Sequence, residues 1–146
     1  MTLDDRMTGL TPTVLSIARI MVGLLFLEHG LSKLFGFPTG TVREMFTLSW
    51  YSGGIEFATG ALLTLGLATR AAAFIASGEM AFAYFLGHAP ASFYPIVNRG
   101  EGAILFCFIF LYMAFAGGGP WSLDAYLQGR RLPESSGRLQ AGTRRA

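Results

Sequence analysis

The sequence predicts an all-α membrane protein: a four-transmembrane-helix bundle with both the N- and the C-terminus in the cytoplasm. Composition is the first indication, since 52% of the 146 residues are apolar and 14% are charged, whereas about a quarter of a soluble domain is charged. The second is a set of four apolar runs near the roughly 20 residues that cross a bilayer. The third is the crowding of basic residues at the end of the chain: Arg130, Arg131, Arg138, Arg144 and Arg145.

The predicted helices cover about residues 12–35, 53–69, 70–87 and 100–117, within a transmembrane domain over 12–128. Pro12 suits the first turn of a helix, where its missing N–H costs nothing, so residues 1–11 form an N-terminal cytoplasmic segment. Gly66 and the small residues around Arg70 predict a tight turn rather than one long helix. Recurrent glycine and alanine predict close helix packing. Residues 129–146 are predicted to be a disordered basic cytoplasmic tail.

Orientation follows from the distribution of lysine and arginine, which favour cytoplasmic loops. The tail carries five arginines, while the loops at 37–51 and 87–100 contain only Arg43 and Arg99. The tail is therefore expected inside, and four crossings place the N-terminus on the same side. The net charge of +2 comes without a basic face interleaved with aromatics, so nucleic acid is not an expected partner.

Each predicted helix carries one glutamate, and the topology brings three of them to one depth. Glu28, Glu56 and Glu101 fall in the outer half of the membrane and Glu79 somewhat deeper. Basic and polar residues of the same outer region could pair with them: His29, Lys33, His88, Asn98 and Arg99. Because intramembrane ionisable groups are costly and usually face the bundle interior, the glutamates are expected to meet there.

Several interpretations of this cluster stay open. It could be a structural polar network that orients the helices, or an outward-opening pocket for a small molecule or quinone head group with a proton-carrying carboxylate or histidine. A di-metal carboxylate site needs Glu-x-x-His pairs on two helices, and the sequence has none, so no metal ligands are predicted. A haem held by His29 and His88 is equally disfavoured.

Three further basic residues favour local roles. Arg19 lies near the cytoplasmic end of the first helix and is predicted to be a snorkelling anchor. Arg70 is predicted to be a positive-inside anchor at the turn. His88 lies at a helix end, where a cation complements the helix dipole.

Four sequence motifs follow one another along the chain. The first helix, ARIMVGLLFLEHGLSKLFG, has the form R…G-x-x-F…H-G-x-x-K-L, and GGIEFATGALLTLGLATR has the form E-x-x-x-G…L-G-L-x-T-R. NRGEGAILF supplies the acidic start of the last helix, and GGGPWSLD has the form G-x-G-x-x-S-L-D. In this order the motifs resemble those of the DoxX family of small bacterial membrane proteins, and the resemblance covers roughly Arg19 to Asp124.

The resemblance implies a four-helix bundle of the bacterial inner membrane, and some relatives are subunits of quinone-linked oxidoreductases. The chain has no dinucleotide fingerprint or CxxC pair, so no cofactor is expected in the chain itself, and any redox group is a diffusible quinone or belongs to a soluble partner subunit. The lipid bilayer is the other expected partner. The sequence does not predict an oligomeric state.

The resulting hypothesis is a protein that is a subunit of, or accessory to, a quinone-linked oxidoreductase system and that binds a small lipophilic molecule in a polar pocket of the outer half. Its catalytic candidates are Glu56 or Glu79 as proton carrier, with His29 or Lys33 stabilising a reduced oxygen anion. The other ligand-binding candidates share the outer region: Glu28, Glu101, His88 and Arg99. The rival hypothesis is a non-catalytic scaffold, chaperone or small-solute carrier.

Overall fold

The computed structural model describes residues 2–130, and all the regular secondary structure in this range is helical, without a strand. The helices are α1 (Leu3–Phe35), α2 (Leu48–Leu65), α3 (Thr69–Ala83), α4 (Pro95–Asn98), α5 (Glu101–Ala116) and α6 (Leu123–Arg130). A π-helical turn, Tyr84–His88, continues α3 and is followed by a 3₁₀ turn, Ala89–Ala91. α1 packs mainly against α2, and α3 mainly against α5.

The first helix begins nine residues earlier than the sequence predicted. Thr2 accepts a hydrogen bond from the Asp5 backbone N–H, and the Asp5 carboxylate accepts one from the Thr2 N–H. This capping box satisfies free N–H groups of the first turn, so residues 3–11 are helical and Pro12 lies inside α1. The predicted start at Pro12 is therefore wrong.

The turn between α2 and α3 is confirmed. α2 ends at Gly66, whose φ of 69° is in the left-handed region that glycine adopts without strain. α2 begins at Leu48, five residues before the predicted start, because the Thr47 side chain caps it. The predicted tail, 129–146, lies outside the described residues except for its first two positions, which end α6.

Glycines bring α1 and α2 into backbone contact, as their small size predicted. A Cβ at Gly60 would lie 2.5 Å from the Leu27 nitrogen, and one at Gly23 would lie 2.7 Å from the Thr64 nitrogen. A Cβ at Gly30 would overlap the Phe57 backbone. Only glycine allows so close an approach, which fixes the register between the two helices.

The buried core of the described residues is small, while the outside of the bundle is apolar. The core is Phe26, Leu63, Ala72, Ala73, Ala76, Met80, Phe110 and Met113. Large apolar side chains of α3 and α5 point outward, among them Phe74, Phe82, Leu105 and Phe115. An exposed apolar exterior is typical of a surface that meets lipid.

Among the described helices, α1 is the one whose length and apolarity suffice by themselves for a membrane span. α5 is apolar on all sides but has 16 residues.

Candidate functional site

A charged cluster joins α1, α2 and α3 near one end of the bundle. The Lys33 ammonium forms a salt bridge with Glu56, with Nζ 2.7 Å from Oε1. The same ammonium donates to the Ser52 hydroxyl at 2.8 Å, and that hydroxyl donates to Glu79 Oε1 at 2.7 Å. Glu56 is 1% exposed and the Lys33 side chain 22%. The four side chains form one hydrogen-bonded chain from Glu56 to Glu79.

The contact between α1 and α2 positions this cluster. Gly53 lies against Lys33, since a Cβ there would be 2.7 Å from the Lys33 Cβ. Ser52 and Glu56 are four residues apart and therefore share one face of α2. The close contact of α1 and α2 at their glycines thus places Lys33 opposite both Ser52 and Glu56.

Hydrogen-bond direction distinguishes the two oxygens of Glu79. An ammonium group can only donate, so the Ser52 oxygen accepts from Lys33 and its single proton goes to Glu79 Oε1. That oxygen is therefore an acceptor. Glu79 Oε2 is buried and has no hydrogen-bond partner within the described residues. Oε2 is therefore the oxygen of Glu79 that is left to accept a further hydrogen bond.

An open cleft of about 780 Å³ lies between α2 and α3 and reaches this cluster. Its apolar wall comes from aromatic and aliphatic side chains: Leu48, Tyr51, Ile55, Phe74, Ile75, Phe82 and Leu86. Its polar lining includes Lys33, Arg43, Ser52, Glu79 and His88. The cleft therefore suits an amphiphile with an apolar body and a small polar head group.

The π-helical turn brings His88 to the cleft. His88 Nδ1 lies 3.0 Å from the Asn98 carbonyl oxygen, and because a carbonyl only accepts, Nδ1 carries the hydrogen. The other ring nitrogen of a neutral His88 is then an acceptor. Asn98 is buried, and its amide bonds the Ser92 carbonyl at 2.8 Å. His88 thus has a local contact with Asn98 and also lines the cleft.

The predicted meeting of four glutamates is wrong for two of them. Glu28 is exposed, because it lies two residues after buried Phe26 and so on the other side of α1. Glu101 is exposed at the first turn of α5, where the helix dipole favours an acid. Neither residue lines the cleft or bonds to the cluster.

Two more predicted site residues lie outside the cluster. His29 is exposed, with Nδ1 2.9 Å from the Leu25 carbonyl oxygen and its ring edge-on to Phe106. Arg99 is exposed and has a φ of 59°. Ser52 and Arg43 were missed. The position of Ser52 four residues before Glu56 was the available signal.

The opposite end of the bundle is held by Arg19, which was predicted to snorkel but is 0% exposed. Its guanidinium donates to four backbone carbonyls: Gly118 at 2.9 Å, Leu63 at 2.6 Å, Thr64 at 3.0 Å and Trp121 at 2.6 Å. The snorkelling prediction is wrong because the loop after α5 folds over this arginine. We call Arg19 with these carbonyls and Asp124 the Arg19 clasp.

Asp124 ties α6 to the start of α3. Its two carboxylate oxygens accept from the Ala68 and Thr69 backbone N–H groups, each at 2.8 Å. Burial raises the pKa of Asp124, but these backbone hydrogen bonds and the Arg19 charge lower it more, so the pKa lies below its usual 3.8. Arg70 is exposed at the turn and donates to the Ala114 and Phe115 carbonyls at the end of α5.

Fold and site together define a class: a small all-helical protein with an apolar exterior and a charged cluster at the end of an apolar cleft. The DoxX family profile matches residues 14–89. A protein of Haemophilus influenzae described as uncharacterized is 43% identical over 122 residues, which cover 77% of this chain and 90% of that protein. No solved structure matches. The chain belongs to the DoxX family and is a membrane protein, which confirms the resemblance drawn from the sequence motifs.

Proposed function

We propose that this protein is a four-crossing protein of the bacterial inner membrane, with both termini in the cytoplasm. In this arrangement α1, α2, α3 with its π-helical turn, and α5 are the crossings. The five arginines near the C-terminus support a cytoplasmic tail. The cleft then opens in the outer half of the membrane, and the Arg19 clasp lies at the cytoplasmic end.

We further propose that the cleft binds a lipophilic molecule of the quinone class and that the protein is a subunit of a quinone-linked oxidoreductase system. The observation that carries this proposal is Glu79: its side chain lines the polar end of an apolar cleft, and its Oε2 is buried without a hydrogen-bond partner among the described residues. A buried acceptor without a partner costs about 1–3 kcal/mol. A ligand hydroxyl in the cleft would satisfy it.

The chain can perform the proton part of quinol oxidation, which releases two protons and two electrons. Glu79 Oε2 and the free ring nitrogen of His88 provide two acceptors along the cleft. Lys33 and Arg43 provide positive charge for an oxygen that loses its proton. The electrons pass to a redox group of a partner subunit.

The geometry favours Glu79 over Glu56 as the proton carrier. Glu56 is held by Lys33 and does not line the cleft, whereas Glu79 does. Similarly, Lys33 lines the cleft and His29 does not. Glu56 then holds the Lys33 side chain in place.

Titration of the purified protein in lipid nanodiscs with a decyl-substituted benzoquinone and its quinol tests this proposal. We expect binding, and we expect Glu79→Gln to weaken quinol binding at least ten-fold, because Ser52 keeps the amide oxygen as its acceptor and an NH2 donor then replaces the Oε2 acceptor. Glu101→Gln is the matched control, since it removes an exposed glutamate outside the cleft, and its binding should equal that of the wild type.

Absence of binding for both forms of the probe would overturn the proposal and favour a scaffold, chaperone or solute carrier. Equal losses of quinol affinity in Glu79→Gln and Glu101→Gln would overturn the assignment of Glu79 as the proton carrier.

A further inference from the structure

α1 carries a second apolar face that the bundle does not use. Seven exposed side chains follow one another at alternating intervals of four and three residues, and we call them the α1 stripe: Leu3, Met7, Leu10, Val14, Ile17, Met21 and Leu24. Their exposed fractions range from 45% at Leu24 to 76% at Leu3. An alternation of four and three is the heptad spacing of a coiled-coil seam.

The α1 stripe lies on nearly the opposite side of the helix from the bundle. The buried residues of α1 are Ser16, Arg19, Gly23, Phe26 and Gly30. At 3.6 residues per turn, the centres of the two faces are roughly 160° apart. The helix can therefore keep all its contacts within the bundle and still offer the stripe to another helix.

Contact with lipid does not explain the first part of the stripe. α1 has 33 residues and is about 50 Å long, while the hydrocarbon core of a bilayer is about 30 Å thick. Between Leu3 and Val14 the other positions are mostly polar, among them Asp4, Asp5 and Arg6. This end of α1 therefore lies outside the hydrocarbon core of the bilayer, although one side of it is apolar.

We infer that the α1 stripe is the dimer interface of this protein and that its occupant is the same stripe of a second copy. Two copies inserted in the same direction place their α1 helices parallel, so each stripe residue meets its own counterpart across a two-fold axis. No charged residue interrupts the stripe before Glu28, so no like charges oppose each other in the seam.

The size of the stripe is sufficient for this role. It spans three heptads, the length at which a heptad pattern becomes a coiled-coil signal. Seven side chains that are about half exposed or more leave on the order of 700 Å² uncovered, close to the roughly 800 Å² per partner of a standard interface. The inference depends on the α1 surface alone and is independent of the cleft.

Cysteine cross-linking in native membranes tests the interface. In the full chain carrying Cys107→Ser, Leu10→Cys places a thiol on the stripe, and Thr8→Cys places one at another exposed position off the stripe. With copper phenanthroline as oxidant, we expect Leu10→Cys to form disulfide-linked dimers at least ten-fold faster than Thr8→Cys. Equal rates, or no dimer from either variant, would overturn the inference.

Particle mass gives a second measurement that does not depend on cross-linking. Light scattering in mild detergent should show two chains per particle for the wild type and one for Leu10→Asp, with unchanged helix content. A wild-type mass of one chain would contradict the dimer. Quenching of a fluorophore at Leu10→Cys by spin-labelled lipid, without cross-linking, would show that lipid covers the stripe instead.

Discussion

Both ends of the bundle contain buried charged groups, but these groups differ in how completely they are hydrogen-bonded. In the Arg19 clasp, the guanidinium is surrounded by four carbonyl acceptors and the Asp124 carboxylate receives two backbone N–H groups. In the cleft cluster, Lys33 is bonded, while one oxygen of Glu56 and one of Glu79 have no hydrogen-bond partner among the described residues. The charged groups of the clasp are thus all paired, although the neighbouring Thr69 hydroxyl has no partner there, whereas both carboxylates of the cleft cluster are incompletely paired.

The difference separates a stabilising role from a binding role. A complete buried network rigidifies a fold, whereas an incomplete one is costly until something supplies the missing partner. The clasp joins the ends of α2 and α5 to α1 and leaves little for a ligand to bind. The cleft cluster retains acceptors and an open space beside them. Substitutions at the clasp should therefore affect mainly stability, and substitutions at the cleft should affect mainly ligand binding.

The largest expected effect is at Arg19. Arg19→Met removes the donors from four carbonyls that the fold has buried around the guanidinium, and we expect a loss on the order of 3–5 kcal/mol of unfolding free energy. Arg6→Met is the control, because Arg6 is exposed on the same helix and should change stability by less than about 0.5 kcal/mol. Denaturant unfolding in detergent, followed by circular dichroism, measures both. Equal stabilities would mean that the clasp is not a stabilising network.

A smaller loss is expected at the cleft cluster. Lys33→Met leaves Glu56 buried without its counter-ion. We expect a loss of about 2 kcal/mol, less than the 3–5 kcal/mol of a fully buried pair, because Lys33 is partly exposed and Glu56 can take up a proton. Adding Glu56→Gln to Lys33→Met should recover half of the loss or more, in the same unfolding assay. If the double variant is no more stable than Lys33→Met, Lys33 stabilises the fold through packing rather than through its interaction with the Glu56 charge.

The sequence predicted helices better than it predicted which side of a helix faces the core. Apolar runs and glycines indicated the main helices and the turn at Gly66. Glu28 was grouped with Glu56 by depth along the helix alone, although its position two residues after Phe26 places it on another face. Helix phase was therefore the missing step, and applied to Glu56 it would also have found Ser52.

The Arg19 clasp could not be predicted from local pattern. Its acceptors are backbone carbonyls, which every residue has, and two of them belong to Gly118 and Trp121, about a hundred positions along the chain. No residue type marks such a partner in a sequence. Pairing between the glutamates and the basic residues of the outer region was expected, because intramembrane charges are costly when unpaired, but the sequence did not single out Lys33 with Glu56.

The smallest effect is expected at Asp124 and depends on pH. Asp124→Asn leaves one oxygen for two N–H groups, so we expect a loss of about 1 kcal/mol at pH 7. The folded-state pKa of Asp124 lies below its usual 3.8, so the carboxylate contributes its stability above pH 4 and loses it as the pH falls through that lowered pKa. Thermal unfolding in detergent should give a constant difference between wild type and Asp124→Asn above pH 5, narrowing below pH 4. A difference that stays constant down to pH 2 would show that the Asp124 charge contributes nothing to the stability of the clasp.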